Sequence, residues 1–164
     1  MHKKILIFGN SGSGKSTLAR ALAKTENLAH LDLDNYAWLD TMPPQRAALK
    51  DSFAKVQEFL DKNQAWVIEG CYTDLLELLS SKANEIIFLN LPIESCIENA
   101  KNRPWEAHKY ASKQKQDENL SMLLDWIAQY SQRDDVFSHA AHLSFYAAFS
   151  GKKTMLTRNT EINC

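Results

Sequence analysis

The chain has 164 residues, with 19 lysine or arginine residues against 20 aspartate or glutamate residues, which gives a formal net charge of −1. This length suits one domain, residues 1–164, and the charge is too balanced for the basic surface that duplex DNA requires, so we expect no nucleic-acid partner. No apolar run approaches the roughly 20 residues that span a bilayer, so we expect no membrane partner.

The first predicted strand, at about Lys3–Phe8, runs directly into a glycine-rich segment. This segment reads G-N-S-G-S-G-K-S-T, that is, Gly9, Asn10, Ser11, Gly12, Ser13, Gly14, Lys15, Ser16 and Thr17. A helix-forming stretch at about Lys15–Thr25 follows, and its N-terminus adds partial positive charge where glycines turn backbone N–H groups inward. Lys15 can reach the β- and γ-phosphates of ATP, and Ser16 offers a hydroxyl to Mg²⁺. Strand, loop and helix together predict a phosphate-binding loop with ATP and Mg²⁺ as cofactors.

The rest of the chain alternates strand-like and helix-like segments, which predicts a mainly parallel sheet. The further predicted strands are about His30–Leu33, Trp66–Glu69, Glu85–Leu91 and Thr154–Leu156. The further predicted helices start after Pro43 and Pro44, at Thr73 (as N-cap, ending near Ser81), at Pro92 (ending near Arg103), at Asp117 (ending at Gln132) and at Asp135 (ending at Phe149). A polar, lysine-containing segment at about 103–116 is a predicted lid. The pattern therefore predicts a three-layer α/β fold of five strands with helices on both faces.

Cysteines and histidines show no pattern of metal ligands. Cys71, Cys96 and Cys164 are far apart, and an odd count without metal spacing is typical of reduced thiols, so we expect a cytoplasmic protein. His139 and His142 share a helix face, but no carboxylate or cysteine accompanies them at ligand spacing. Because the first strand begins at about residue 3, we also expect no signal or targeting segment.

Several motifs resemble those of small P-loop kinases. The early loop, the D-x-D at Asp32–Asp34, the glycine at Gly70 and the basic segment before the last helices look like the shikimate, gluconate and adenylate kinase group. The stretches H-L-D at 30–32, W-V-I-E-G-x-Y at 66–72 and I-I-F-L-N at 86–90 are similar to bacterial P-loop proteins labelled adenylate kinase-like or "DNA topology modulation" proteins. The resemblance implies a P-loop NTPase fold and transfer of the γ-phosphoryl group of ATP to a hydroxyl or phosphate of a small metabolite.

Other classes of P-loop protein need motifs that this sequence lacks. A GTPase needs D-x-x-G and N-K-x-D, and neither occurs. A motor or AAA-type ATPase usually has four apolar residues that run into Asp-Glu, whereas Ile86–Leu89 runs into Asn90. A metabolite kinase tolerates this, because its magnesium-organising carboxylate can follow the second or third strand. We therefore predict a small-molecule kinase.

The D-x-D pair lies at the carboxyl end of the second predicted strand, where ligand sites of parallel sheets gather. With Ser16 as the first magnesium ligand, the resemblance to shikimate kinases implies that Asp32 holds a metal-bound water. Asp34 is our candidate to accept a hydrogen bond or a proton from the acceptor hydroxyl. The alternative is that Asp34 caps a turn or is solvated.

A second carboxylate, Glu69, ends the third predicted strand, and it can bind the acceptor or order a magnesium water. The resemblance implies that Gly70 lets a substrate approach the backbone. Tyr72 is predicted to lie at the cleft and bind the acceptor. The sequence E-G-C-Y at 69–72 stands where shikimate kinases carry a glycine triplet, and the adenylate kinase signature D-G-F-P-R is missing.

The sequence has five arginines, and four are predicted near the cleft. Arg46, predicted to open the second helix, lies in the region where related kinases grip the acceptor. Arg103 and Arg133 are the candidates for lid charges on the transferring phosphoryl group. Arg158 follows the last strand and can flank the adenine. The alternative for each is a solvated charge or a surface ion pair.

A different class of function stays open. The chain can be a nucleotide-binding regulatory protein with slow ATPase activity rather than a kinase. For either function we expect a monomer or weak homodimer, and for the kinase a small-molecule phosphate acceptor as the partner.

Overall fold

A parallel sheet of five strands lies at the centre of residues 2–159, the part of the chain that the computed structural model describes. The strands of this part are β1 (Lys4–Gly9), β2 (Ala29–Asp32), β3 (Trp38–Leu39), β4 (Gln45–Arg46), β5 (Trp66–Glu69), β6 (Glu85–Leu89) and β7 (Lys152–Leu156). The sheet has the order β2-β5-β1-β6-β7, and all its neighbouring strands are parallel. Strands β3 and β4 form a separate antiparallel pair. The predicted five-stranded sheet is confirmed, and Cys164 lies outside the described residues.

Helices cover both faces of this sheet. They are α1 (Lys15–Glu26), α2 (Leu49–Lys62), α3 (Thr73–Leu79), α4 (Ile93–Lys101), α5 (Lys113–Ala128) and α6 (His139–Ala148). Leu6 and Phe8 of β1 join a core with α2, α3 and α6, whereas Ile5 and Ile7 join a second core with α1, α4 and α5. Successive side chains of a strand point to opposite faces, so a strand covered on both faces reads as a continuous apolar run. The three-layer prediction is confirmed.

Two helix boundaries differ from the prediction because serine caps decide them. Helix α5 begins at Lys113 rather than Asp117, since the Ser112 hydroxyl accepts a hydrogen bond from the Lys115 N–H at 3.1 Å. Helix α6 begins at His139 rather than Asp135, with Ser138 as its N-cap. A side-chain oxygen at the N-cap satisfies a free N–H of the first turn, which fixes the starting residue.

Two residues near the cleft have local roles that differ from the prediction. Arg46 does not open a helix but lies in β4, opposite Trp38, and α2 starts at Leu49. Thr73 is not an N-cap: Tyr72 precedes the helix, and the Thr73 hydroxyl donates to the Val136 carbonyl at 2.6 Å.

The carboxyl ends of β1, β2 and β5 meet at one edge of the sheet, because the three strands are parallel neighbours. The phosphate loop leaves β1 at this edge, and Asp32 pairs in register with Glu69. The edge thus places the predicted nucleotide and carboxylate residues together. Among the described residues, no helix is long and apolar enough to cross a membrane.

Candidate functional site

The phosphate loop packs directly against α4. Gly12 has a φ of 79° and Gly14 a φ of 92°, and both values lie in the left-handed region that glycine favours. A Cβ atom on Gly12 would lie 2.4 Å from the Cys96 carbonyl oxygen, so only glycine fits there. Lys15 begins α1, and its Nζ donates to the Asn10 carbonyl at 2.8 Å. The loop therefore has the backbone geometry that the motif predicts.

A cavity of about 530 Å³ opens over this loop. Its walls come from the loop and α1, the ends of β2 and β5, the end of α4 and the segment before α5. Its lining includes Lys15, Ser16, Arg20, Asp32, Asp34, Glu69, Gly70, Cys71, Asn99, Arg103, Glu106, Lys109 and Asn159. This volume lies in the range of small-molecule sites.

Glu69 lies on the floor of the cavity and contacts the phosphate loop. Its side chain is 2% exposed, and its Oε1 accepts a hydrogen bond from the Ser16 hydroxyl at 2.6 Å. Its Oε2 is 2.7 Å from His30 Nε2. The sequence alone assigned His30 no role in the site, although His30 lies two residues before Asp32 on β2. The hydrogen bond between Ser16 and Glu69 therefore joins the hydroxyl that is predicted to bind Mg²⁺ to the end of β5.

Asp32 is a half-buried carboxylate beside two others. Burial raises its pKa above the ordinary value, and the negative charges of Asp34 and Glu69 raise it further, against the lowering effect of Lys109. Its Oδ1 accepts from the Asp34 N–H at 2.9 Å and so caps a short 3₁₀ turn, Leu33–Asn35. Asp32 rather than Asp34 is therefore the turn cap, which leaves the Asp34 carboxylate available to face the cavity.

Asp34 is held from both sides by donors. The Tyr72 hydroxyl donates to Oδ1, and Lys109 Nζ donates to Oδ2 at 3.0 Å. Trp38 Nε1 in turn donates to the Tyr72 oxygen at 2.8 Å. Burial alone would raise the pKa of Asp34, but the Lys109 charge and the two hydrogen bonds outweigh it and lower the pKa. Asp34 is thus a fixed, ionised carboxylate. Tyr72 does not line the cavity, and burial raises its own pKa.

Lys109 belongs to the predicted lid segment and reaches the ends of the strands. Its Nζ lies 3.0 Å from Asp34, 3.6 Å from Glu106 and 3.7 Å from Asp32. Burial by itself lowers the pKa of this ammonium, but the three carboxylates outweigh burial and raise the pKa, so Lys109 is charged. The sequence identified Lys109 only as one lysine of a basic segment. A contact across 75 positions leaves no local signal.

The four predicted arginines have different surroundings. Arg103 lines the cavity and pairs with Glu106 at 3.1 Å. Arg46 lies outside the lining, where its Nη2 pairs with Asp74 at 3.1 Å. Arg133 also lies outside the lining.

The reason for the placement of Arg133 is an aromatic contact. Its guanidinium lies 3.6 Å from the ring centroid of Trp126, and it donates to the Trp126 carbonyl at 2.6 Å. The predicted lid role of Arg133 therefore has no geometric support. Arg158 is exposed after β7 and outside the lining, whereas its neighbour Asn159 lines the cavity.

Two asparagines that the sequence did not single out brace the phosphate loop. Asn99 Nδ2 donates to the Gly12 carbonyl at 2.8 Å and to Asn159 Oδ1 at 2.7 Å. Asn159 Nδ2 donates to the Ser13 carbonyl at 3.0 Å. These bonds fix two carbonyls of the phosphate loop to α4 and to Asn159, which follows β7. They join residues 87 and 146 positions apart, so no sequence spacing reveals them.

Comparison with known proteins identifies the family and the fold of the chain. A family model described as an AAA domain matches residues 5–122. The chain belongs to this family. It is 29% identical over 153 residues to the uncharacterized protein YqaC of Bacillus subtilis (strain 168), covering 92% of this chain and 85% of that protein. It superimposes on shikimate kinase from Bacteroides thetaiotaomicron with a TM-score of 0.57 and 14% identity, over 98% of this chain and 92% of the other. The fold is that of a P-loop small-molecule kinase.

Although the matching family model is described as an AAA domain, no Asp-Glu pair follows β6 in this chain. Asn90 follows that strand, and its Oδ1 bonds His139 Nε2 at 3.0 Å. The carboxylates near the phosphate loop come instead from the neighbouring strands, as Asp32 and Glu69. The strand-end carboxylates of this chain therefore lie on β2 and β5 rather than after β6.

The donor set fits Mg²⁺ only if nucleotide phosphates complete it. Among residues 2–159 no group of three histidine, cysteine, aspartate or glutamate side chains could hold a metal ion. Magnesium, however, is usually bound by one or two carboxylates together with waters and substrate phosphates. The Ser16 hydroxyl, Glu69 and Asp32 are oxygen donors of that kind beside the phosphate loop.

A buried histidine supports the wall of the cavity beside Gly70. His142 is fully buried, its Nδ1 lies 2.6 Å from the Tyr130 hydroxyl, and its Nε2 lies 2.9 Å from the Cys71 carbonyl. Burial lowers the pKa of His142 to about 4. Burial also raises the pKa of the Cys71 thiol to about 12, so this cavity-lining cysteine is a protonated packing group rather than a nucleophile.

Proposed function

We propose that the protein is an ATP-dependent phosphotransferase that moves the γ-phosphoryl group of ATP to a small acceptor molecule. The observation that carries this proposal is the contact of Ser16 with Glu69 within one cavity that also holds Asp32 and Asp34. Phosphoryl transfer needs positioning and charge neutralisation more than covalent chemistry. A phosphate loop facing carboxylates at the ends of two neighbouring strands supplies both.

The nucleotide end of the site uses the phosphate loop. Lys15 and the inward N–H groups bind the phosphates, and the N-terminus of α1 favours their negative charge. Ser16, Asp32 and Glu69 would hold Mg²⁺, directly or through water. When bound, this ion supplies neutralisation of charge on the β- and γ-phosphate oxygens. Arg20 lies one turn beyond Ser16 on the same helix and also lines the cavity.

The acceptor end uses Asp34. Its lowered pKa makes it a weak base, so its role is to accept a hydrogen bond from the acceptor hydroxyl and orient the oxygen. Gly70 lines the cavity beside it, and the absence of a Cβ atom there makes room for the Leu33 side chain. The segment 103–116 brings Arg103 and Lys109 to the mouth of the cavity, where closure would exclude water and favour transfer over hydrolysis.

The test is ADP release from Mg²⁺·ATP in the presence of a panel of hydroxyl compounds. Acceleration by at least one compound, lost in Lys15→Ala, is the expected result. Slow hydrolysis that no acceptor changes would instead favour a regulatory ATP-binding protein. ATP binding equal in wild type and Lys15→Ala would remove the phosphate loop from the proposal altogether.

A further inference from the structure

Charged side chains line the cavity beyond the phosphate loop and α1, and we call them the acceptor side. They comprise four carboxylates and two cations, Asp32, Asp34, Glu69, Glu106, Arg103 and Lys109. Lys15 and Arg20 lie on α1, with the elements that face the nucleotide. The acceptor side therefore carries more negative than positive charge.

Both cations of the acceptor side are already engaged. Arg103 pairs with Glu106 at 3.1 Å, with side chains 28% and 18% exposed. Lys109 pairs with Asp34 at 3.0 Å and lies 3.6 Å from Glu106. A carboxylate or phosphate that bound here would have to separate a cation from its carboxylate, which would leave that carboxylate partly buried without a partner.

The arginine expected to grip an acidic acceptor is turned away from the cavity. Arg46 Nη2 contacts both carboxylate oxygens of Asp74, at 3.4 and 3.1 Å, and its Nε donates to the Ala37 carbonyl at 3.3 Å. Its guanidinium carbon also lies 4.9 Å from the ring centroid of Tyr72 and 5.5 Å from that of Phe137. These contacts hold the group outside the lining, so it supplies no anion site.

The charges left after magnesium binding decide the class of acceptor. If Asp32 and Glu69 bind Mg²⁺, the charges that remain on the acceptor side are those of Asp34, Glu106, Arg103 and Lys109. The ATP phosphates then attract the two cations of this set. We infer that the acceptor is a hydroxyl compound without a carboxylate or phosphate group, either uncharged or amine-bearing. This inference rests on the proposed phosphotransferase function. Asp34 receives the hydroxyl as a hydrogen-bond acceptor. Where the ATP phosphates draw Arg103 and Lys109 away, an ammonium can pair with the Asp34 or Glu106 carboxylate that is left.

Three two-carbon alcohols test the inference, because they share a hydroxyl and differ mainly in charge: ethylene glycol, ethanolamine and glycolate. Each is titrated into the wild-type protein loaded with Mg²⁺ and a nonhydrolysable ATP analogue, and amide chemical shifts at Asp34 and Gly70 report binding. We expect saturable shifts with ethylene glycol or ethanolamine and at least fivefold weaker binding of glycolate. Glycolate binding as tightly as the others, or no binding by any of the three, overturns the inference.

A charge variant provides a second measurement. Glu106→Gln frees Arg103 and removes one carboxylate, so the preference for ethanolamine over glycolate should fall by about fivefold, the effect of one partly exposed ion pair. Asp117→Asn is the matched control, because Asp117 pairs with Lys113 outside the cavity, with side chains 56% and 68% exposed. An equal response of the two variants contradicts the electrostatic basis.

Binding of the ATP analogue shows whether a failed test contradicts this inference or the proposed function. Lys15-dependent binding of the ATP analogue is measured in the same samples. If the analogue binds and glycolate is preferred, the inference alone is wrong. If the analogue does not bind in a Lys15-dependent way, the proposed phosphotransferase is wrong.

Discussion

Replacing Glu69 with glutamine removes one negative charge from the floor of the cavity and keeps the shape of the side chain. The carboxylate is 2% exposed and accepts from Ser16 at 2.6 Å, with His30 Nε2 at 2.7 Å. The glutamine carbonyl can still accept from Ser16, and its amide can donate to a His30 ring protonated on Nδ1. We therefore expect Glu69→Gln to fold with the same contacts.

Two effects of different size follow from this geometry. Hydrogen bonds to a charged group contribute about 1.5–3 kcal/mol and neutral ones about 0.5–1.5, so the two weakened bonds cost about 2 kcal/mol of stability. Because glutamine is neutral, the substitution also removes the free-energy cost of burying a charge, which offsets part of that loss. The magnesium effect is larger, because loss of a partner that orients metal ligands typically lowers metal affinity by about 10- to 100-fold. Function should therefore suffer more than folding.

The assay is a Mg²⁺ titration of fluorescent ATP-analogue binding, with urea unfolding measured in parallel. Glu85→Gln is the control, because Glu85 begins β6 at the opposite edge of the sheet, 3.7 Å from the exposed Lys152. We expect an unchanged Mg²⁺ midpoint in Glu85→Gln and a midpoint about 10- to 100-fold higher in Glu69→Gln. A wild-type midpoint in a folded Glu69→Gln protein would refute the magnesium role of this carboxylate.

Further expectations concern the acceptor, the lid and the buried histidine. Asp34→Asn should leave ATP affinity within about twofold and lower acceptor-dependent turnover by about 100-fold, since it removes a positioning group rather than a phosphate ligand; equal losses of both would contradict that role. Arg103→Ala should lower turnover far more than ATP affinity, whereas Arg133→Ala should lower unfolding stability instead; steady-state kinetics and urea unfolding separate them. The pKa of His142 is lowered from 6.5 to about 4 in the folded protein. Between pH 6.5 and about pH 4, His142 is therefore protonated in the unfolded chain but neutral in the folded protein. Stability should fall by about 3 kcal/mol as pH drops through that window. A urea midpoint series should show this slope in wild type and lose it in His142→Gln.

The residues that the sequence placed well are those whose position follows from the backbone alone. A glycine-rich loop between an apolar strand and a helix has one geometry, so Lys15 and Ser16 could be placed from spacing. Asp32 and Glu69 end strands that lie side by side, and parallel strands bring their carboxyl ends to one edge. Pairing of Asp32 with Glu69 in register then follows from the order of the sheet.

The residues that the sequence placed badly are charged side chains whose partners lie far along the chain. Arg46 was assigned to an acceptor because it lies in the region where related kinases grip theirs, but Asp74 and a set of aromatic rings hold it elsewhere. Arg133 was assigned to the lid, but Trp126 holds it. A long side chain reaches several directions from one Cα atom, and only tertiary contacts select among them. Lys109 shows the reverse error, since nothing local indicates its contact with Asp34.

This difference explains how the fold can be shared with shikimate kinase at low sequence identity. The two chains superimpose with a TM-score of 0.57 at 14% identity, so the sheet and the loop survive extensive replacement of side chains. The edge carboxylates belong to the part that the backbone fixes. For the proposed phosphotransferase, acceptor selectivity depends instead on which cations are free, and here the cations of the acceptor side are paired while Arg46 is held outside the cavity. Under that proposal, these ion pairs favour a hydroxyl compound that brings no anion of its own.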